Sequence, residues 1–304
     1  MPNFKTAIVT GSNGFIGRAL SQKLRSKSWS LVEVDLIKNE TTVDPTSIVE
    51  QIYSGVFEEK NTVFFHVGAD ANAMAGKLED LTHANINLTE NYFEAASKKN
   101  IPTIFISSAA VYGNGNERLK LSPYAESKLV GEKILLEKQK IRNWPAIIYR
   151  LFNTYGPGED SKGDMISIPG KFINSARERH LIDIWQVPET DFQSRDFIAV
   201  SDVVSVLYLT AISGAISHGG TFDLGTGVPV DFNSIADIVT EYFPAQVRKV
   251  SFPYNQNLEY YQTYTKARNL PRHVLPKHFR FLSVSEGIDD YVREILKREK
   301  LARA

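Results

Sequence analysis

Short, almost wholly apolar runs alternate with longer stretches whose apolar residues recur every three or four positions. Residues 7–10, 31–35, 63–66, 103–107 and 147–151 are runs of the first kind and read as strands. Residues 15–27, 45–54, 81–99 and 124–140 are stretches of the second kind and read as helices. Strands that are apolar on both faces suit a sheet covered on both sides. Five such units in succession predict an α/β fold built on a doubly wound parallel sheet.

After Gly156-Pro157-Gly158 the rhythm loosens. Helices are expected at 168–179, 203–212 and 284–300, and strands at 197–200 and 222–224. Asn233 or Ser234 is expected to cap a further helix reaching Phe243. No internal repeat, low-complexity tract or long Gly/Ser linker interrupts the chain. Two packed units are therefore expected: a first domain over 1–160, to which 195–227 partly returns, and a smaller α/β lobe mainly over 161–304.

Between the first strand and first helix lies Thr10-Gly11-Ser12-Asn13-Gly14-Phe15-Ile16-Gly17. One glycine permits a tight turn, one lets backbone approach a pyrophosphate, and one lets the helix pack on the strand. The helix N-terminus offers that pyrophosphate free N–H groups and a partial positive charge. The glycines recur every three residues rather than in the commonest dinucleotide spacing, but their place between strand and helix points to a dinucleotide. Asp35, ending the second strand, is placed to accept hydrogen bonds from a ribose; the alternative is a turn residue. Lys38, three residues on, is placed to meet a 2′-phosphate, so NAD and NADP both stand. Asp44 has two readings as well, an adenine contact or the N-cap of the helix opened by Pro45.

Composition removes several other chemistries. Thirty-five Lys and Arg balance thirty-five Asp and Glu, which excludes a nucleic-acid protein dependent on a global positive field. With no cysteine, disulfides, thiolate catalysis and Cys-based metal sites are excluded. Six scattered histidines form no zinc motif, so no metal is expected, and His66 reads as packing beside the cofactor. No secretory leader pattern and no long apolar span appear, so a cytoplasmic protein is expected, with neither membrane nor nucleic acid as partner.

Tyr124-Ala125-Glu126-Ser127-Lys128 places a phenol and an ammonium on one helix face. Ser107-Ser108 ends a strand, at the edge where open α/β sheets bind ligands. An ammonium about 4 Å from the phenol, at an effective dielectric of about 20, favours phenolate by about 4 kcal/mol before desolvation. On that reading Lys128 brings Tyr124 towards neutrality, and Ser108 fixes the reacting oxygen.

These residues resemble the extended short-chain dehydrogenase/reductases, the NAD-dependent epimerase/dehydratase family. The likeness rests on Gly11-x-x-Gly14-x-x-Gly17, Ser107-Ser108-Ala109-Ala110-Val111-Tyr112-Gly113 and Tyr124-x-x-x-Lys128. It continues through residues 150–157, 195–203 and 222–227. The resemblance implies a Rossmann domain, tightly bound NAD or NADP, a nucleotide-diphosphate sugar in the C-terminal lobe, and a homo-oligomer. It makes Gly11, Asn13, Gly14, Phe15, Ile16, Gly17, Asp35, Lys38, Asp44, Asn85, Tyr124 and Lys128 the expected cofactor contacts. Read from the helix alone, Asn85 is either a satisfied polar group or one that orders a water or the catalytic loop.

Within the family, Lys162-Gly163-Asp164-Met165-Ile166-Ser167 and Tyr261-Gln262-Thr263-Tyr264-Thr265 are similar to the branch that epimerises ADP-heptose at C6. That likeness makes Tyr124 and Lys162 two bases on opposite sides of the sugar carbon, with Ser108 and Lys128 supporting Tyr124. It makes Ser108, Asn153, Lys162, Arg195 and Tyr261 substrate contacts. Read without it, Lys162 is a solvated loop lysine and Arg195 an ion-pair partner of Asp196 or Asp202. Two features depart from the branch: Tyr260 stands where it carries a basic residue, and residues 180–193 lack its Leu-Phe-x-Gly stretch. The alternatives are a 4-epimerase or 4,6-dehydratase of the same family, and a cofactor sensor without catalysis. Ala109 and Ala110, in place of an acidic pair, count against the dehydratase.

Overall fold

The computed structural model describes residues 4–37, 39–71, 77–113, 121–188, 190, 192–253 and 260–303. Its main sheet is all parallel, in the order β2 (Ser30–Val34), β1 (Thr6–Thr10), β3 (Thr62–His66), β4 (Thr103–Ser108), β5 (Ala146–Leu151), β9 (Thr221–Leu224). Beyond β2 a single parallel bridge, Val34 to Val43, extends the sheet by one residue. From β1 the chain runs outward to β2 in one direction and to β3, β4 and β5 in the other. The strand order reverses beside β1, where doubly wound sheets open a ligand crevice at their carboxyl edge.

Side-chain alternation along the strands divides the interior in two. Ala7, Val9, Val63, Phe65, Ile104, Ile106, Ile147 and Tyr149 point to one face. They pack against Leu20 and Leu24 of α1 (Phe15–Ser26) and Val203 and Leu207 of α7 (Val200–Ser213). Ile8, Phe64, Phe105 and Ile148 point to the other face. There they meet α2 (Pro45–Ser54), α4 (Leu88–Lys98) and α5 (Pro123–Arg142) through Ile48, Tyr92, Phe93 and Leu135. Each fully buried side chain of this size contributes about 1.5–3 kcal/mol, so both layers hold the sheet edge rigid.

The helix expected over 81–99 is interrupted. A short α3 (Glu79–Leu81) leads into a π-helical turn, Thr82–Asn87, before α4 begins. The widened turn carries Asn85, buried at 3% exposure.

The second lobe packs α6 (Ile168–Arg179), α8 (Phe232–Tyr242) and α9 (Val284–Arg303) around Tyr155, Phe172, Phe197, Ile235 and Ile288. A three-stranded sheet, in the order β10 (Pro229–Asp231), β8 (Ser194–Ala199), β6 (Asn153–Tyr155), joins the lobe to the crevice. β7 (Leu181–Gln186) pairs in parallel with β11 (Gln246–Ser251). Two boundaries differ from expectation. α7 begins at Val200, directly after β8, and α8 is capped by Asp231, whose Oδ1 accepts the Asn233 N–H at 2.8 Å. β11 escapes the periodicity because its face is solvated rather than apolar.

Candidate active site

The glycine turn is built from backbone contacts that leave no room for side chains. A Cβ on Gly17 would lie 1.9 Å from the Gly11 carbonyl oxygen. Gly11, at φ +67°, approaches Gly68 so closely that a Cβ would meet the Gly68 Cα at 2.5 Å. Gly68 follows β3 and packs against this turn, although the sequence reading omitted it. Gly14 is the N-cap of α1 and provides no side-chain cap, so the helix opens with bare amides at Phe15 and Ile16. That is the geometry a pyrophosphate needs.

Asp35 stands beside this turn. Its two carboxylate oxygens accept the Asn13 N–H at 2.8 Å and the Ile37 N–H at 2.9 Å. Asn13 in turn donates to the Ile37 carbonyl at 2.6 Å, which locks the β2 end against the turn. Asp44 is the N-cap of α2 and accepts from Thr46 N at 2.9 Å, as its capping reading expects. Lys38 lies outside the described residues.

His66 is buried. Its ring nitrogens lie 2.7 Å from Thr10 Oγ1 and 2.8 Å from Thr89 Oγ1, and it stacks on Phe105. Burial holds its pKa well below the usual value, so it stays neutral. Among the described residues no cluster of three or more potential ligands is placed to hold a metal ion.

At the β4 edge the catalytic candidates come together. Ser122 caps α5 through its oxygen and Pro123 occupies the first turn, which fixes where Tyr124 and Lys128 emerge. Ser108 lies near enough to the Tyr124 phenol to lower its pKa, and it accepts the Ala110 N–H at 3.1 Å. Lys128, 4% exposed, donates to the Ile106 carbonyl at 2.9 Å and lies over the Phe105 ring. Asn85 donates to Ser127 Oγ at 3.0 Å and brackets the backbone of Asp70, donating to its carbonyl and accepting its N–H. Asn85 is thus a satisfied polar group that ties the Asp70 loop to α5.

Electrostatics correct one expectation. The Tyr124 phenol is not brought to neutrality: burial raises its pKa, Ser108 opposes that by hydrogen bonding, and Asp70 raises it further. Tyr124 is half-buried. Lys128 aims its ammonium at a carbonyl rather than at the phenol, and burial, opposed by Glu132, brings its own pKa down to about 7.

Lys162 sits on a 3₁₀ turn, Glu159–Met165, and is not among the Ser108 group. Its Nζ lies 3.3 Å from Glu159, a carboxylate with no exposed surface, and 5.1 Å from the centre of the Phe15 ring. Arg18 of α1 ties the turn down by donating to the Gly158 carbonyl and Ser161 Oγ. Lys162 therefore faces the nucleotide turn.

Asn153 spends its amide N–H groups on the Asp196 carbonyl and Thr265 Oγ1, leaving its oxygen for a ligand. Arg195 has no carboxylate partner among the described residues. Asp196 accepts instead from Thr226, Gly227 and Ala267, and Asp202 from the Leu282 N–H. The Arg195 guanidinium donates to the Gln262 carbonyl and lies over the Tyr261 and Phe232 rings, while burial lowers its pKa. Tyr261 donates to Gln193 Oε1 at 2.7 Å.

Beside them opens a cleft of about 510 Å³, with Trp185 and Lys171 in its wall. Lys171 is accessible from the cleft, yet its pKa is lowered, by burial of its stem and by the neighbouring Arg195 and Lys162 charges. Two cations beside aromatic walls suit a nucleoside diphosphate. Neither Lys171 nor Trp185 was singled out in the sequence. The spacing Arg195 to Lys171 crosses three elements, and Trp185 falls in the stretch that matched no pattern.

A model of the NAD-dependent epimerase/dehydratase family matches residues 7–225. The chain is 29% identical over 316 aligned residues to the ADP-L-glycero-D-manno-heptose-6-epimerase of Brachyspira hyodysenteriae, covering 96% of this chain and 98% of that protein. Among solved structures it is similar to the Helicobacter pylori ADP-L-glycero-D-manno-heptose-6-epimerase, at TM-score 0.78 and 20% identity, over 97% of each chain. It is also similar to a Thermus thermophilus UDP-glucose 4-epimerase in complex with NAD, at TM-score 0.76 and 21% identity, over 96% of this chain and 99% of that one. No helix among the described residues is long and apolar enough to cross a membrane.

Proposed function

The chain belongs to the NAD-dependent epimerase/dehydratase family as a nucleotide-sugar epimerase, and from that premise we propose that it inverts C6 of an ADP-heptose with two bases. The observation that carries this reading is the position of Lys162. The Glu159–Met165 turn, tied to α1 by Arg18, brings a second amine over Phe15 and into the nucleotide crevice. The full-length relative that acts on an ADP-heptose supports the substrate class.

The cofactor, when bound, accepts a hydride from the sugar carbinol and returns it. The chain's residues fit it: the bare α1 N-terminus for its pyrophosphate, Asp35 for its adenosine ribose, and Tyr124 and Lys128 at its reactive end. A carboxylate at the end of β2 repels a 2′-phosphate, which favours NAD over NADP. Arg195 and Lys171 hold the substrate diphosphate, Tyr261 packs beside it, and the free Asn153 oxygen accepts a sugar hydroxyl.

Tyr124 takes the hydroxyl proton as the carbinol is oxidised, with Ser108 holding the oxygen and opposing the rise that burial imposes on the phenol. The resulting ketone turns over, receives hydride on its other face, and takes its proton from Lys162. The cofactor is regenerated within each turnover, so no second redox partner is needed.

Tyr124→Phe and Lys162→Ala, assayed by product NMR with ADP-heptose and UDP-glucose, test the assignment. Two-base inversion predicts that both lose about a hundredfold or more in turnover, the scale of a general acid–base. The bond from Lys162 to Glu159 favours a second reading, a one-base 4-epimerase. Unchanged turnover in Lys162→Ala, with inversion of UDP-glucose at C4, would establish that reading instead.

A further inference from the structure

Three consecutive residues of β4 are joined to three residues of α5 spaced four apart. Ser108 lies near the Tyr124 phenol, Ile106 accepts from Lys128, and Ser107 Oγ donates to Glu132 Oε1 at 2.6 Å. Tyr124, Lys128 and Glu132 occupy one face of the helix over two turns. Glu132 is 2% exposed and is gripped from β5 by Arg150, whose Nε and Nη2 donate at 3.0 and 2.7 Å. Arg150 lies over the ring of Tyr112, whose hydroxyl donates to Asp223.

A surface ion pair would leave such a network idle, but this pair is buried directly behind the reacting group. Removing one member of a buried pair strands the other's charge in low dielectric. We propose that Glu132, held by Arg150 and Ser107, is a positioning residue of the reaction that keeps Lys128 charged one helical turn from Tyr124. The inference rests on the epimerase reading only for its catalytic consequence; the effect on Lys128 rests on the one-turn spacing of Lys128 and Glu132 on α5 and on the bonds that hold Glu132 in place.

The charged and titratable groups facing Lys128 are few. Among the described residues Glu132 of α5 and His66 of β3 act on it directly, with Tyr124 one turn back on α5, Asp70 acting on Tyr124, and Arg150 of β5 paired to Glu132. His66 is neutral, so Glu132 is the nearby group that favours the ammonium, in the direction already seen at Lys128. Taking away its charge removes that support and leaves Arg150 uncompensated, which disfavours the ammonium further. Taking away Arg150 instead leaves an unneutralised carboxylate and favours it.

The two substitutions therefore act in opposite directions, which a merely structural role would not produce. In protein with ¹³C-labelled lysines, the Lys128 signal is assigned by its loss in Lys128→Met and titrated by NMR without substrate or cofactor. Glu132→Gln is expected to lower its midpoint by about one pH unit, and Arg150→Met to raise it. In the active enzyme the acid limb of kcat/KM is expected to move up in Glu132→Gln, because phenolate then forms less readily. Should Glu132→Gln fail to fold, the double variant Glu132→Gln/Arg150→Met is expected to titrate below Arg150→Met, and an equal or higher midpoint in the double variant would overturn the proposal. Midpoints unchanged, or displaced in the same direction in folded Glu132→Gln and Arg150→Met, would overturn the proposal. Failure of the epimerase reading would show separately, as absence of turnover with the titration shifts intact.

Discussion

The contact between Gly17 and Gly11 makes the nucleotide turn testable by one methyl group. In Gly17→Ala the new Cβ would fall 1.9 Å from the Gly11 oxygen, 2.7 Å from its carbonyl carbon and 2.9 Å from the Ser12 Cα. Carbon needs roughly 3.4 Å or more from such atoms, so the first separation must grow by about 1.5 Å. All three neighbours are backbone, and no rotamer change relieves them. Either α1 lifts from β1 or the turn is displaced; in both cases the amides of Phe15 and Ile16 leave their line with the pyrophosphate. Overpacking costs about 1–3 kcal/mol of stability. A hydrogen bond to a charged group contributes about 1.5–3 kcal/mol. Loss of one or two such bonds weakens NAD binding by about a hundredfold. Isothermal titration of NAD into cofactor-free protein reads this directly. Gly55→Ala is the control: Gly55 is at φ +82°, and a Cβ there meets nothing within 4 Å. It should lower the melting temperature through backbone strain and leave NAD affinity unchanged. A Gly17→Ala protein that binds NAD within about threefold of the unsubstituted protein would refute the assignment of this turn.

Lys128 carries a pH signature. Burial brings its pKa to about 7 from an ordinary 10.5, so between those values the unfolded chain binds the extra proton. Stability of the cofactor-free protein should therefore rise as pH increases from 7 towards 10.5, and urea melts of Lys128→Met should lack that rise; parallel curves for the two proteins would contradict it. Arg195→Met should weaken binding of a nucleoside diphosphate by about ten- to a hundredfold, the worth of a charge-assisted hydrogen bond, while NAD affinity stays constant. A loss of NAD affinity of similar size would place Arg195 on the cofactor instead.

Features held by local chemistry are legible in the chain. Strand alternation separates Ala7 and Val9 from Ile8, and the glycine spacing marks the turn. Tyr124 and Lys128 declare themselves because helical periodicity places them together without reference to the rest of the fold. Pairs made across elements are not legible in the same way. Glu132 finds Arg150 on a neighbouring strand, and Glu159 reaches both Lys162 and Ser167 from inside an irregular turn. The phenol was misjudged for a related reason. Helical spacing gives the proximity of Lys128 but not the Ile106 carbonyl that claims its ammonium, nor the desolvation that raises Tyr124. The π-helical turn at Thr82–Asn87 was likewise hidden within a stretch whose periodicity reads as one helix.

Transient oxidation at a single carbon, with the same hydride returned to its opposite face, is most directly tested by following a label. ADP-heptose carrying deuterium at C6 should be incubated with the holoenzyme in ordinary water and the product examined by NMR. Inversion at C6 with the deuterium retained on that carbon, and no accumulation of reduced cofactor, is the predicted result. Loss of deuterium to solvent, or reduced cofactor formed in proportion to substrate consumed, would contradict it.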